Sequence, residues 1–280
     1  MSSCHLRKHI SPKCPFYIPK STRRRQLHHL PQLTHHDHFC AHGVGKMLSP
    51  SSYDYAWTSY QSYILSILNQ MTVDTPQEYR MTKDILLTFA RDPAAASLFN
   101  HASAAWSNHQ FFSALSPEPT KPSPRLIEVL ERSFGSMESL RATMIATANA
   151  MFGPGYVWLV KRRDTSISVD DTVRTPFALL TTYIAGSPLP GAHYRKQEAD
   201  TNTALKAGSF GPQSGMGPKV APGGANIEVM LGVNTWQHVW LRDYGFGGKK
   251  RYLENWWDCV DWKIVEQNAQ LDTGSRKRGL

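Results

Sequence analysis

The first half of the chain has apolar residues at the spacing of helices that pack against one another. From Met47, a Ser-Pro pair is followed by apolar residues at steps of three and four, which predicts a helix, and Thr75-Pro76 indicates another helix start. A second long helix is predicted over 92–115, where Ala and aromatic residues recur on more than one side. The Pro-rich connector 116–124 is poor in backbone donors and ends this part. Residues 47–118 are therefore predicted to form an N-terminal helical hairpin.

The second half changes from helical to strand periodicity. Amphipathic helices come first, three short strands rich in β-branched and aromatic residues follow, and a helix closes the pattern. The predicted helices are Pro124–Phe134, Met137–Ala148 and Tyr252–Val265, and the predicted strands are Tyr156–Val160, Phe177–Tyr183 and Ile227–Val233. Residues 186–225 are dense in Gly and Pro and are predicted to be an insertion without a core. The pattern predicts an α+β fold, with a C-terminal α/β domain over 119–268 and a polar basic tail over 269–280.

Charge is distributed unevenly along the 280 residues. The formal net charge is +9, and residues 1–50 supply +7 of it from eight Lys or Arg and one acid, which leaves +2 for the remainder. No acid precedes Asp37, and the segment is rich in Arg, Ser and His without a long apolar run, as is typical of a mitochondrial presequence. We therefore predict that residues 1–46 are a presequence that is removed. A basic tail that stays on the protein is the alternative.

Cysteine usage and hydropathy narrow the class of protein further. Three of the four cysteines precede Met47 and only Cys259 lies in the body, so no disulfide framework is expected after cleavage. No apolar stretch of about 20 residues occurs, so no membrane span is expected. The run from His35 to His42 contains zinc-ligand side chains, but they are crowded and are interpreted as leader composition. The Gly-Lys run 245–250 lacks the spacing of a phosphate loop and is interpreted as an exposed basic loop.

Several motifs of the body occur in a fixed order. Residues 107–112 read SNHQFF, residues 152–159 read FGPGYVWL, and residues 179–189 read LLTTYIAGSPL. Residues 233–240 read VNTWQHVW, and an Asp-Tyr pair and a Tyr-Leu-x-x-Trp-Trp stretch follow. This series resembles the iron/manganese superoxide dismutase family over most of the body. The resemblance implies a helical hairpin followed by a small three-stranded antiparallel sheet flanked by helices.

The resemblance also implies a metal site, because the family binds iron or manganese through three histidines and one aspartate. By that resemblance His109 and His238 keep two ligand positions, and Asn234 stands at the aspartate. Taking Tyr63 as a tyrosine that follows the first histidine by eight residues places Tyr55 at that histidine. A redox metal needs an anionic ligand to hold its higher oxidation state, and a neutral amide is a weak substitute.

Three supporting residues of the family are replaced as well. A gating histidine, a pocket tryptophan and a glutamate that orients the partner subunit's histidine correspond to Ser59, Ser113 and Gln237. We therefore predict a degenerate site with no catalytic residue, no metal and no cofactor.

A dismutase-like body without its metal ligands resembles the mitochondrial small-subunit ribosomal proteins of fungi. This resemblance implies a structural role through contacts with mitochondrial ribosomal proteins, including a heterodimer with a second dismutase-like paralogue. The partner interface is expected at Tyr63, Gln237, His238 and Tyr244. A divergent mitochondrial iron/manganese superoxide dismutase is the alternative, and a free-standing interaction protein is a third interpretation.

The nearly neutral body indicates that contact with ribosomal RNA is limited, because affinity for RNA scales with the number of phosphates neutralised. Its basic residues form local clusters, for each of which a solvated surface is the alternative. The candidate RNA contacts are Lys161, Arg162, Arg163, Arg195, Lys196, Lys249, Lys250 and Arg251. No membrane partner is expected.

Overall fold

The fold begins earlier in the chain than the sequence pattern indicates. The computed structural model describes residues 28–90, 92–162, 176–190, 192 and 227–269. Within them, helix α1 (His36–His42) buries Phe39 against the Tyr53 ring, with ring centroids 5.3 Å apart. The His28 amide donates to Asn69 Oδ1 at 2.9 Å, which ties the start of this segment to the helical hairpin. Residues 28–46, assigned to the presequence above, are therefore packed into the body of the protein.

The helical hairpin is built from two long helices that pack side by side. Helix α2 (Pro50–Tyr53) is capped by Ser49 and leads through a π-helical turn (Asp54–Ser59) into α3 (Tyr60–Thr72). Helix α4 (Thr82–Phe89) and a short 3₁₀ turn precede α5 (Ala96–Ser113), which packs on α3. The helix start predicted at Thr75-Pro76 is wrong, because the Thr75 hydroxyl oxygen accepts from the Gln77 amide in a turn and the helix begins at Thr82.

Two capped helices connect the hairpin to the sheet. Helix α6 (Pro124–Phe134) and helix α7 (Met137–Ala150) each begin after a serine whose hydroxyl oxygen accepts from the amide three residues ahead. Ser123 accepts from Leu126 and Ser136 accepts from Ser139, at 3.1 and 3.0 Å. Such caps satisfy amides that have no partner within the helix, so both helix starts were readable from the sequence.

The sheet has the three strands that the sequence predicts. Strands β1 (Gly155–Arg162), β2 (Phe177–Tyr183) and β3 (Ile227–Asn234) pair antiparallel in the order β2-β1-β3. Gly232 of β3 lies under the Trp158 ring of β1, where a Cβ atom would approach the ring to 2.4 Å. The predicted mixed fold with a three-stranded antiparallel sheet and flanking helices is confirmed.

The C-terminal helical part differs from the single closing helix predicted over Tyr252–Val265. Helix α8 (Gln237–Tyr244) follows β3, and α9 (Lys249–Trp257) and α10 (Trp262–Asn268) are separated by an extended step. In that step the Asp261 amide donates to Ala114 O and Cys259 O accepts from the Ser116 amide. Because these backbone groups bond to the connector after α5, the helix cannot continue through them.

A single hydrophobic cluster joins the hairpin to the sheet. Its large side chains include the fully buried Trp57, Trp158 and Trp256. In the part of the chain that the structure describes, no helix combines the length and the apolar character that crossing a membrane requires.

Candidate functional site

Asn234 ends β3 and is fully buried between the hairpin and the sheet. Its side-chain amide group donates to Tyr156 Oη at 3.2 Å and to Asn108 Oδ1 at 3.4 Å. Its oxygen accepts from the Trp236 amide at 2.8 Å, which fixes the turn into α8. The Asn234 side chain is thus hydrogen-bonded in three directions as a neutral amide.

Two further amides on the hairpin continue this network. Asn108 of α5 donates from Nδ2 to Gln61 Oε1 at 3.0 Å and to Ala56 O at 3.2 Å. Gln61 of α3 donates to Ala105 O at 2.9 Å. All of these residues are buried, where a polar group without a hydrogen bond would destabilise the fold. The amides satisfy one another's donors and acceptors and so avoid that cost. The network crosses from β3 to α5 and α3 without a charged side chain.

The two retained histidines lie beside this network and are held neutral. His109 packs against the Trp57 ring, with centroids 5.9 Å apart, and burial lowers its pKa. His238 lies on the Tyr60 ring at 4.0 Å, and burial lowers the pKa of His238 to about 4. Burial also raises the pKa of Tyr60 to about 12. The surroundings of both histidines therefore disfavour charge on every titratable group named here.

The structure displaces by one residue the positions inferred for Tyr55 and Ser59. The Tyr55 side chain is 52% exposed, whereas Ala56 is fully buried and its carbonyl oxygen bonds Asn108. It is Tyr60, four residues further, that lies on His238. Steps of four counted back from the exposed Tyr63 reach Ser59 and Tyr55, whereas the same steps from the buried Ile64 reach Tyr60 and Ala56. Ala56 and Tyr60 thus line the pocket in place of Tyr55 and Ser59.

The remaining predicted interface residues differ in what their side chains do. Tyr63 is 63% exposed, and Gln237 is exposed at the first position of α8. The Tyr244 hydroxyl lies 2.8 Å from Met47 O and accepts from Asn255 Nδ2, so its polar end is bonded within the chain. Ser113 is half-buried at the end of α5, where its hydroxyl donates to Gln110 O.

Some of the predicted RNA-contacting residues form hydrogen bonds within their own chain. Lys161 donates to Ala269 O at 2.9 Å and lies 3.8 Å from Glu228, and Lys249 donates to Met151 O at 2.8 Å. Arg162, Lys250 and Arg251 are exposed. Arg163, Arg195 and Lys196 lie outside the described residues.

The donor set does not fit the iron or manganese that the family implies. Two neutral histidines and an amide supply no anion, and the amide oxygen and nitrogen are already bonded. A phenolate from Tyr60 would have to form against a raised pKa. Within the described part of the chain, no three His, Cys, Asp or Glu side chains converge as cation ligands. The geometry supports a neutral, packed pocket.

Sequence analysis missed five residues of this site: Ala56, Tyr60, Gln61, Asn108 and Tyr156. A signal was present, since Ala56, Tyr60, Ile64 and Leu68 recur at steps of four and mark the buried face across the π-helical turn. No sequence signal indicated which polar group would bond Gln61, because its partners come from α5.

The chain is similar to a domain of dismutases and to two ribosomal proteins. The family described as iron/manganese superoxide dismutases, C-terminal domain, matches residues 122–185 and 218–268. Small ribosomal subunit protein mS42 of Schizosaccharomyces pombe is 30% identical over 219 residues, covering 76% of this chain and 84% of mS42. Its mS43 is 26% identical over 230 residues, covering 79% of this chain and 78% of mS43.

An enzyme of the family is more distant. The iron superoxide dismutase of Escherichia coli (strain K12) is 22% identical over 222 residues, covering 79% of this chain and 89% of the enzyme. The chain is more similar to these two ribosomal proteins than to that enzyme, and it shares with the enzymes the C-terminal domain that the family model describes. It therefore belongs to the family of small ribosomal subunit protein mS42.

Proposed function

We propose that the chain is a structural component of the mitochondrial small ribosomal subunit, acting through protein contacts and not as a dismutase. The observation that carries this proposal is the amide network of Gln61, Asn108 and Asn234, which occupies the pocket that the family uses for a metal. The similarity to two small ribosomal subunit proteins supports the same conclusion.

The chemistry of the pocket argues against the alternative of a divergent dismutase. That reaction requires a metal to alternate between two oxidation states, and the higher one needs an anionic ligand. Each ionisable side chain beside the network is buried in a way that favours its neutral form. A cation placed there would lose its hydration without gaining a counter-charge.

The partner surface is proposed around the exposed mouth of this pocket. Tyr63 and Gln237 are exposed, and the buried His238 Nε2 has no hydrogen-bond partner among the described residues. In the proposed heterodimer, a second dismutase-like chain covers Tyr63 and Gln237 and packs against the partly exposed His238. Tyr244 would support this surface from within, because its hydroxyl is bonded to the segment before α2.

Contact with ribosomal RNA is proposed to be local. Lys161 and Lys249 are engaged by carbonyl oxygens of their own chain, which leaves Arg162, Lys250 and Arg251 as the exposed candidates of the described clusters. Few neutralised phosphates give a modest electrostatic affinity, so protein neighbours would supply most of the binding.

From the ribosomal role we also propose a location in the mitochondrial matrix, with a presequence that directs the chain there. Cleavage after residue 46 would remove the buried Phe39 and Val44. The described fold is kept whole only if cleavage occurs before His28, so we place the presequence within residues 1–27.

Sedimentation tests the proposed function directly. Tagged full-length protein is expected to co-sediment with small-subunit ribosomal RNA in a gradient of mitochondrial lysate. Crosslinks at Tyr63 and Gln237 are expected to reach a different dismutase-like chain. Metal analysis of the purified protein should find far less than one iron or manganese per chain. Sedimentation apart from ribosomal RNA, or stoichiometric metal with turnover of superoxide, would refute the proposal.

A further inference from the structure

The turn between α8 and α9 presents one aromatic side chain to solvent. Phe246 is 91% exposed at the centre of the turn Gly245–Gly248, which is closed by a hydrogen bond from the Gly248 amide to Gly245 O at 3.2 Å. Gly245 has φ +65°, and a Cβ atom on Gly248 would lie 2.3 Å from Tyr244 O. Gly245 and Gly248 are therefore required by the backbone of the turn, which fixes the position of Phe246.

Both sides of this turn are anchored to the body of the protein. On one side, Asp243 accepts from the Ser49 amide at 2.7 Å and Tyr244 is bonded to the segment before α2. On the other side, Lys249 donates to Met151 O at the end of α7. Phe246 is thus held out from a rigid support, so a ligand that stacks on it orders little additional chain.

The surroundings of Phe246 are cationic. Arg242, Lys250 and Arg251 are exposed on the two helices that flank the turn, and the Arg251 guanidinium lies 5.7 Å from the centre of the Tyr244 ring. Of the neighbouring acids, Asp243 is bonded to Ser49 and Ser52, and Glu254 lies 3.9 Å from Lys250. Positive charges outnumber the negative ones around the exposed ring.

Lys250 also borders a groove between α7 and α9. The groove has a volume of about 450 Å³ and a mostly apolar lining, in which Arg141, Lys250 and the Glu254 carboxylate are the charged groups. Two cations against one carboxylate leave a net positive charge, which suits a ribose or base whose phosphate lies beside Arg141 and Lys250. The groove thus continues the cationic surface around Phe246 towards α7.

We propose that the Phe246 turn, with Arg242, Lys250 and Arg251, binds an unpaired stretch of ribosomal RNA. A base would stack on the Phe246 ring and the cations would take the adjacent phosphates. The glycines on both sides of Phe246 leave room for a nucleotide to approach the backbone closely. A protein partner is disfavoured, because a protein hot spot is typically ringed by packed side chains and Phe246 is ringed by glycines and cations.

This inference rests on the proposed ribosomal role and names the RNA-binding residues within it. In the first experiment, Phe246 of the full chain is replaced by p-benzoyl-phenylalanine, and the protein is assembled into mitochondrial small subunits and irradiated. A crosslink to ribosomal RNA is the expected result. A crosslink to protein alone, or no crosslink from assembled protein, overturns the inference. The same replacement at Tyr79, an exposed aromatic residue between α3 and α4, is the matched control and should give no RNA crosslink.

The second experiment separates this inference from the proposed function. Binding of the purified full chain to a short labelled single-stranded RNA is compared for wild type, Phe246→Ala, Phe246→Trp and Tyr79→Ala. We expect Phe246→Ala to weaken binding about tenfold, because one base–aromatic stack is lost, and Phe246→Trp and Tyr79→Ala to retain it. Equal binding by wild type and Phe246→Ala overturns the inference even if the chain sediments with the subunit. Loss of binding in that variant supports it even if sedimentation fails.

Discussion

Asn234 has every polar atom of its side chain hydrogen-bonded inside the fold. A carboxylate here would keep the bond from the Trp236 amide but lose the two bonds that the amide group donates. The choice between amide and carboxylate therefore decides whether the pocket is a neutral network or an anionic site. Nearby, His238 packs against Tyr60, and its Nε2 atom has no hydrogen-bond partner among the residues that the structure describes. Burial of the imidazole determines how its charge responds to pH.

His238 should make the protein less stable in mild acid. Burial lowers its pKa to about 4, whereas an unfolded histidine titrates near 6.5. Between these values the unfolded state binds more protons, so stability falls as pH falls from about 6.5 to about 4, by at most about 3 kcal/mol. His109 acts in the same direction because its pKa is also lowered. In urea unfolding, His238→Gln should lose less stability than wild type between neutral pH and pH about 4.5. Equal losses would show that His238 is not buried as a neutral group.

Restoring two metal ligands should show whether Ala56 or Tyr55 occupies the position of the family's first histidine. Ala56→His combined with Asn234→Asp would place a new histidine and a carboxylate beside His109 and His238, which completes the family's ligand set. We expect this double variant to retain manganese or iron on purification, as measured by elemental analysis. Tyr55→His combined with Asn234→Asp is the control and should remain nearly metal-free, because the Tyr55 side chain is half exposed. The assignment fails if the Tyr55 variant binds metal and the Ala56 variant does not.

At the scale of elements, the sequence pattern predicted the strand bounds and helix starts that depend on neighbouring residues. The strand pattern located β1 to β3 to within two residues at either end, and the serine caps located the starts of α6 and α7. The break between α9 and α10 was missed because Asp261 and Cys259 bond to the connector after α5. Helix α1 was missed because its composition is that of a leader, and a single buried Phe39 is no periodic signal.

Asp243 should stabilise the junction between α8 and α2. Its carboxylate accepts from the Ser49 amide, the Ser49 hydroxyl and the Ser52 hydroxyl, at 2.7 to 2.8 Å, and so joins residues 191 to 194 positions apart in the sequence. Asp243→Ala should lower the free energy of unfolding by about 2 kcal/mol, because bonds to a charged acceptor are lost from a helix N-terminus. Denaturant unfolding of the purified chain measures this loss. Glu131→Ala, at an exposed acid of α6, should change stability little, and a similar effect of both substitutions would contradict the assignment.

Phe39 should contribute to stability if residues 28–46 belong to the mature protein. The side chain is 1% exposed and packs on Tyr53, so Phe39→Ala should cost about 3 kcal/mol. Phe152→Ala is the matched control, because the same substitution there removes an exposed ring. Thermal unfolding of protein isolated from mitochondria, with N-terminal sequencing, is the measurement. If Phe39→Ala leaves that protein unchanged, cleavage has removed α1 and the presequence is longer than we propose.

At the scale of the whole molecule, the two ends of α8 carry different exposed groups. Gln237 is exposed at the start of α8, and Phe246 and the flanking cations are exposed around the turn that follows its end. Such a division lets one body contact a protein partner and RNA at the same time. It also means that changes at Gln237 should alter association without affecting the RNA-binding surface.

Gln237→Glu should increase the tendency of the chain to pair with itself. In the family, a glutamate at this position bonds the partner subunit's histidine, and an ionised acceptor makes a stronger hydrogen bond than an amide. Gln237 is the exposed first residue of α8, where a negative charge is compatible with the helix dipole, so the fold should tolerate the change. In sedimentation equilibrium of the purified chain, we expect a self-association constant about tenfold higher for Gln237→Glu than for wild type. Gln237→Ala, which removes the amide without adding charge, should not increase it. If Gln237→Glu and wild type associate equally, the pairing surface lies elsewhere, and the heterodimer cannot be explained by the loss of this carboxylate.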